Sequence, residues 1–426
     1  MTRRLKLLVL LVVMLLIAAA GVVVVWTQHD DEEPVTILGT WTGRQEEQFK
    51  TVLRGLGIPF RYQGTAAQRE VLLSKVQSGE PPDVVIMPGI GELAEYEHHG
   101  RLKPLDGLYD PKQYGAPWNA AGTASGHVYW VPVKADLKSI VWYREGHRPA
   151  DSPAPMRSWC IGMGDDGASG WPGTDWIEDL VLQRSGPGVY TKWALNTGGP
   201  AKKWWTSDPV RTAWTAWADL LRQDPRAART ALLTDHRGAP GGHGLLFGGG
   251  AAGCSLEHQG SFARSFYGKK DTEHARLMDS APLLPGGGTR VRAHEVTGDF
   301  AALFSNSSRA RELIRRLSSR KAQQKWAEVA GVFSANREVI PKDEVVEHQI
   351  AQRLLKGPRC LDASDVMAPA VRDAFYEAVL LTIARVAAKP GKDPDVRGLL
   401  RDVQQVQDVS TRDTGRAALR TVCSTR

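Results

Sequence analysis

The residues best equipped for chemistry lie in Ser169-Gly170-Trp171-Pro172-Gly173-Thr174-Asp175-Trp176, which runs into the apolar-periodic Ile177, Leu180 and Val181. Gly170, Pro172 and Gly173 break regular structure. Thr174 or Asp175 can accept from free helix amides, and Glu178 and Asp179 suit the positive end of a helix dipole. The stretch reads as a shaped loop holding Trp171 just ahead of a helix. A flat ring there can stack on the apolar face of a small molecule while nearby amides and the Asp175 carboxylate take its polar edge. Trp176 reads as core.

Other chemistries find little support. The glycine-rich residues 237–253 contain no Walker or dinucleotide fingerprint. The net charge of +7 is scattered along the chain, and its densest basic cluster, from Arg309 to Lys321, reads as the solvated face of an amphipathic helix. With no finger, basic zipper or aromatic-basic RNA motif, nucleic acid is excluded as a partner. Four cysteines, Cys160, Cys254, Cys360 and Cys423, lack zinc spacing and the neighbours of a catalytic thiol. An even number in an exported chain suggests disulfides, and four allow three pairings.

Export is indicated at the start of the chain. Arg3, Arg4 and Lys6 precede a charge-free run at residues 7–26, and Asp30, Asp31, Glu32 and Glu33 follow. That run is longer than the apolar core of a cleaved signal and close to the roughly 20 residues that span a bilayer. Residues 1–33 are expected to be a signal peptide or, by length, an uncleaved signal anchor that leaves the remainder outside the membrane. No cysteine follows the small-residue cluster at residues 18–21, which excludes a lipoprotein anchor.

The elements that must position Trp171 follow from periodicity. At 426 residues the chain is long for a single core, so two domains are expected. Strands at residues 35–38, 59–62 and 83–87 alternate with helices opening at Glu46, at residue 67 and at Glu92, the pattern of a doubly wound sheet. Ligands of such sheets bind beyond the carboxyl ends of the strands, here near Trp41 and Pro88. Two strands, residues 128–133 and 139–143, could carry the chain into the next domain, followed by a strand at 159–163. Helices then dominate at residues 178–183, 189–195 and 209–222, where Val210, Trp214, Trp217 and Leu221 form a core stripe. Strands return at 254–256 and 296–304, and from Ser308 onward the chain is helical apart from loops at 331–343 and 357–365.

Four blocks carry a resemblance: Trp159-Cys160-Ile161-Gly162, Ser169 to Asp179, Gly253-Cys254-Ser255-Leu256-Glu257-His258-Gln259-Gly260-Ser261-Phe262, and Asp362-Ala363-Ser364-Asp365-Val366-Met367. Their order and spacing resemble the extracellular solute-binding proteins of carbohydrate ABC importers, especially the alpha-glucoside-type, maltose-binding-protein-like branch, over nearly everything after residue 34. The resemblance implies two α/β lobes, each a sheet flanked by helices, joined by crossing strands near residues 134–139 and 297–301 with a return after about Phe333. Lobe 1 would comprise residues 34–136 plus 297–335, and lobe 2 residues 137–296 plus 336–426, closing on a ligand by hinge motion. It places in the cleft Trp41 and Thr42, Pro88 and Gly89, Asp136, Trp171 and Asp175, Glu257 and Phe262, Gly298 and Asp299, and Asp365, Met367 and Tyr376. Trp171 would be the chief stacking platform, Trp41 or Phe262 a second, and Asp136, Asp175, Glu257 and Asp299 the hydroxyl acceptors. Within these lobes the expected disulfides are Cys160 to Cys254 and Cys360 to Cys423.

The implied function is capture of a carbohydrate, of oligosaccharide size, for delivery to the permease subunits of an importer. A monomer is expected, without cofactor, metal or catalytic residue. A membrane-anchored sensor or scaffold on the same fold is the alternative, and a glycoside hydrolase, which would need two flanking acids, is disfavoured by the resemblance. A basic ligand is the chief rival to a neutral sugar, because four acids in a dry cleft favour a positive charge unless Lys134 or an arginine offsets them.

Overall fold

The computed structural model describes residues 33–118, 126–198, 201–239, 241–248, 253–286, 292–342, 344–414, 419 and 422–424. The apolar run at 7–26 lies outside the described residues, and among those described no helix is long and apolar enough to cross a membrane.

Strand and helix alternate through the first part of the chain. β1 (Val35–Gly39) lies parallel to β2 (Phe60–Gly64) on one edge and to β3 (Val84–Met87) on the other. Every residue of β3 is buried, as the continuous apolar run of an inner strand requires. The helices Gly43–Gly55, Gln68–Gln77 and Ile90–His98 follow these strands in turn. The first buries Phe49, Val52 and Leu53, spaced at three and one so that they share a face.

Beyond β3 the sheet becomes mixed. β4 (Trp130–Leu137) runs antiparallel to β8 (His294–Leu303), from Trp130 opposite Ala302 to Leu137 opposite Val296. With that edge of β8 taken, its other edge is shared. Residues 300–303 pair with β3, and residues 294–296 pair with β9 (Arg359–Leu361), beside which lies the short β10 (Cys423–Ser424). The chain leaves this sheet at Leu137, passes through Lys138 and Ser139, and enters a second, antiparallel sheet in the order β6 (Leu256–His258), β5 (Ile140–Arg144), β7 (Ala275–Asp279). The fold is a two-lobed α/β architecture with sheets flanked by helices.

The helices Trp171–Ser185, Asp208–Arg222, Pro369–Ala388 and Val396–Thr414 pack around the tryptophan stripe. Val210, Trp214, Trp217 and Leu221 are fully buried, and Trp214 Nε1 donates to Thr382 Oγ1 over 2.9 Å. Disulfides join Cys160 to Cys254 and Cys360 to Cys423. The second links directly opposed residues of β9 and β10, so a two-residue strand is held by a covalent bond as well as by its ladder.

Several local expectations need correction, and one is residues 357–365, read as a loop, which hold β9 and the short helix Ala363–Val366. The stretch around Trp171 is helical from Trp171 itself, because proline is tolerated in a first helical turn and Gly170, at φ 107°, makes the left-handed approach. Residues 159–163 form no strand beyond an isolated bridge from Trp159 to Leu256. The glycine-rich residues 237–253 include a short helix, Gly244–Phe247, and both the helix Pro225–Leu233 and β7 arise where no element was expected.

Candidate ligand-binding site

Along the paired strands β4 and β8 polar and apolar residues alternate. Lys134 opposes Asp299 and Asp136 opposes Thr297; just past the strand, the Lys138 amide donates to the Glu295 carbonyl over 2.7 Å. Directly opposed residues of an antiparallel pair project to one face, so these six side chains form a single buried polar floor. Gly298, on the opposite face, has no room for a side chain: a Cβ would strike the Lys134 carbonyl and lie 3.1 Å from Trp118 Cζ3.

Buried charge must be paired, and each lysine of the floor sits between two carboxylates. Lys134 Nζ is 2.7 Å from Asp136 Oδ2 and 3.6 Å from Asp299 Oδ2. Lys138 Nζ is 2.8 Å from Asp175 Oδ1 and also bonds Asp362. Burial pulls the Lys138 ammonium toward neutrality, but Asp175 and Asp362 outweigh it and hold the group well above its usual range. Asp175 is raised to about 6 by burial, with Lys138 opposing. Burial pushes Asp362 up, but Lys138 and hydrogen bonds to Glu178 and Ser364 together outweigh it and hold the group below its usual value.

Two further carboxyls, Glu178 and Glu295, are raised well above their normal values by burial and by neighbouring acids, Asp362 for the first and Glu178 for the second. Each is held toward its protonated form. Glu178 accepts from the Ala363 amide over 2.7 Å, and the Tyr190 hydroxyl donates to Glu295. Asp175, Glu178 and Asp362 offer oxygen atoms within 4.8 Å of one another. Lys138, bonded to two of them, supplies the positive charge at that point.

The half-buried Trp171 stands above this floor. Its Nε1 donates to Asp165 Oδ2 over 2.7 Å, and Lys138 Nζ lies 5.5 Å from its ring centroid. Its ring meets His236 at 4.8 Å and Phe262 at 5.6 Å, while Phe266 meets His236 at 5.4 Å and Phe262 at 6.4 Å. These rings close a circuit of edge-to-face contacts.

Opposite sequence regions converge at a second point. A Cβ on Gly89 would lie 3.1 Å from Arg372 Nη1 and 3.8 Å from the Asp365 carbonyl, and one on Gly91 would strike the Met367 carbonyl. Thr297 Oγ1 donates to Asp365, whose carboxyl is raised well above its usual value by burial and by Asp362. Arg372 Nη2 is 3.4 Å from Glu92 Oε2, and Arg69 Nη1 is 2.5 Å from Asp373 Oδ2. The Tyr376 carbonyl lies against Gly170, and Pro88 is exposed at the head of this cluster.

Most residues expected in the site therefore meet: Asp136, Asp299, Asp175, Trp171 and Phe262 around the floor, with Pro88, Gly89, Asp365, Met367 and Tyr376 beside it. Three do not present side chains as expected. Trp41 is 5% exposed, packed against Phe49 at 4.6 Å and Trp326 at 5.1 Å, and meets the floor through a side-chain hydrogen bond to Asp299. Thr42 is exposed at the start of the helix Gly43–Gly55, with no side-chain capping bond. Glu257, 1% exposed, turns its carboxylate to the Leu246 amide and the Tyr267 hydroxyl, each at 2.9 Å, and so is engaged within the protein, away from the floor; burial raises its pKa to about 8.

Lys138, Thr297, Glu295, Asp362, Asp165 and His236 join the site without having been expected there. For the first three a signal existed: Lys134-Ala-Asp136-Leu-Lys138 and Glu295-Val-Thr297-Gly-Asp299 alternate at the period of a strand with one polar face. His236 had none, because a bend in a glycine-rich region carries no periodicity.

Comparison with known proteins identifies the fold and the family. Solved structures similar to the chain include the maltose-maltodextrin binding protein of Alicyclobacillus acidocaldarius, with a TM-score of 0.62 at 14% identity over 87% of this chain and 100% of that one. Maltose-bound MalE3 of T. maritima superposes with a TM-score of 0.63 at 16% identity, over 88% and 99% of the two chains. These similarities show the fold. In sequence, the chain is 30% identical over 330 residues to the alpha-glucosides-binding periplasmic protein AglE of Rhizobium meliloti, covering 69% of this chain and 70% of that protein. It is 26% identical over 380 residues to the osmoprotective compounds-binding protein GgtB of Synechocystis, covering 80% and 86%. Residues 55–324 match the family described as bacterial extracellular solute-binding protein. With a family match over more than half of its length and a relative 30% identical, the chain belongs to the bacterial extracellular solute-binding proteins.

Proposed function

We propose that this protein captures a neutral carbohydrate of the alpha-glucoside class in a cleft between its lobes and delivers it to the permease subunits of an ABC importer. The lobes are assigned as residues 34–136 plus 297–335 and residues 137–296 plus 336–426. The observation that carries the reading is Trp171 above a floor where Lys134 and Lys138 each sit between two carboxylates. A ring selects the C–H face of a sugar, and hydroxyls bond to the carboxylates that face it. Lys134 and Lys138 offset half of that negative charge, and burial raises Asp175 and Asp299 toward their neutral forms, which weakens the pull on a cationic ligand. The similarity to AglE, named for binding alpha-glucosides, supports the class.

Calorimetry with maltose, trehalose and sucrose, against arginine and spermidine as cationic controls, tests this. Binding of at least one saccharide, unchanged on incubation, is expected; binding of the cations alone would overturn the assignment. The apolar run at 7–26, with basic and acidic flanks, supports tethering at the membrane and therefore also a sensor on the same fold. Unimpaired uptake of the bound saccharide by cells lacking this protein would favour the sensor.

A further inference from the structure

We propose that His236 is a specificity-determining residue of the Trp171 subsite, accepting a ligand hydroxyl at Nε2 in the neutral form whose proton is on Nδ1; this rests on the carbohydrate reading above. The position of His236 is built by two chain segments lying directly on one another. Gly164 and Asp235 form a parallel bridge, and a Cβ on Gly162 would sit 2.5 Å from the Asp235 carbonyl and 3.0 Å from His236 Cα. Only glycine at 162 lets the segments approach so closely. Every other polar group of His236 is then fixed. Its amide donates to the Gly164 carbonyl over 3.0 Å, its own carbonyl accepts from Gln259 Nε2 over 2.8 Å, and Nδ1 is 3.1 Å from that same Gly164 carbonyl.

A carbonyl only accepts, so the Nδ1 contact places the proton on Nδ1 and leaves a lone pair on Nε2. Asp165 Oδ1 at 3.8 Å and Asp235 Oδ1 at 3.6 Å also face Nδ1 and favour the same tautomer. Among the described residues none bonds Nε2. The imidazole meets the Trp171 ring, and Asp165, which orients the Trp171 indole through Nε1, also lies beside His236. Asp165 thus bonds the Trp171 indole and lies 3.8 Å from the imidazole Nδ1, which places ring and acceptor side by side.

Protonation would turn the acceptor into a donor. The charges facing the ring are Asp165 and Asp235, which favour the imidazolium, and Arg237, which opposes it while bonding Asp235 at 2.7 Å. Asp166, 3.5 Å from Arg237, and Lys138 with Asp175, across the Trp171 ring, complete the surroundings. Burial holds His236 below its ordinary pKa, so saccharide affinity should be flat near neutrality and fall in mildly acidic solution.

Two variants separate the roles. His236→Asn keeps an N–H for the Gly164 carbonyl but removes the Nε2 acceptor. Its affinity for whichever of maltose, trehalose or sucrose the parent binds should fall about five- to tenfold, the worth of one neutral hydrogen bond, and its acid dependence should shrink to the part that Asp175, raised to about 6, contributes. His236→Gln, whose amide oxygen reaches the Nε2 position, should recover part of the loss. Parental affinity and an unchanged pH profile in His236→Asn would overturn the proposal. Nitrogen-15 spectra of the histidine-labelled protein read the tautomer directly: a proton on Nε2 at neutral pH overturns it even if no saccharide binds and the carbohydrate reading itself has failed.

Discussion

At Trp171 and Trp217 two similar side chains have opposite consequences. Trp171 is half-buried with its indole N–H engaged by Asp165, whereas Trp217 is fully buried on the helical stripe. Trp171→Ala should weaken binding of the cognate saccharide by about ten- to a hundredfold, a stacking contact of roughly 1–3 kcal/mol. Trp217→Ala should lower stability by about 3–5 kcal/mol while the folded fraction binds nearly as before. Calorimetry paired with urea melts distinguishes the two, and parental affinity in Trp171→Ala would refute its role as the platform. Glu257 makes a pH prediction. Its folded pKa of about 8 stands above the usual 4.5 because of burial, so the folded state holds a proton that the unfolded state has released. Its contribution is complete below about pH 4.5 and is lost as the pH rises toward 8. Across that window the urea midpoint of the parent should fall more steeply than that of Glu257→Gln; parallel curves would place the titration elsewhere.

The strands β4 and β8 do the positioning, and they do so through register. The alternation that puts Lys134, Asp136, Asp299 and Thr297 on one face also brings the backbone of β4 against Gly298 on the other. A methyl group at 298 would force the strands apart, since a backbone carbonyl and a buried indole have little freedom to yield. Gly298→Ala should destabilise the protein by about 1–3 kcal/mol and weaken saccharide binding in the fraction that remains folded, because Lys134 and Asp299 lose their alignment. A variant with unchanged urea midpoint and affinity would show that the pair tolerates the added carbon. The expected loop around Trp171 failed at this same level. Proline was read as a breaker, whereas at the first turn of a helix it interrupts no hydrogen bond.

For the molecule as a whole, segments far apart in sequence meet through Gly91 and Met367 and through the Arg69–Asp373 and Arg372–Glu92 pairs. A binder of this design functions outside the cytoplasm, and the segment at 7–26 is proposed to keep it at the membrane. Intact-mass measurement on protein isolated from its native membrane should return a chain that retains this segment. A mature start anywhere between residues 18 and 33 would end the anchor proposal. The two disulfides suit that oxidising setting.

How much could be read without coordinates follows the range of the forces involved. β1 to β3 with their intervening helices, and the buried stripe of Val210, Trp214, Trp217 and Leu221, were legible because each is written in a local period of two or about 3.6 residues that burial enforces. The floor was half legible: Asp136, Asp175 and Asp299 were expected and Lys134 was weighed as an offset, but Lys138, the charge partner of Asp175 and Asp362, was not, since pairing depends on which distant segments meet. Glu257 had the right residue type and pointed elsewhere, toward Tyr267, and Trp41, packed on Phe49 and Trp326, reaches the floor through its hydrogen bond to Asp299. His236 was invisible for the converse reason. Its place beside Trp171 rests on a glycine at 162, a carbonyl at 164 and an amide at 259, contacts that become neighbours only when the chain has folded and that leave no pattern along it.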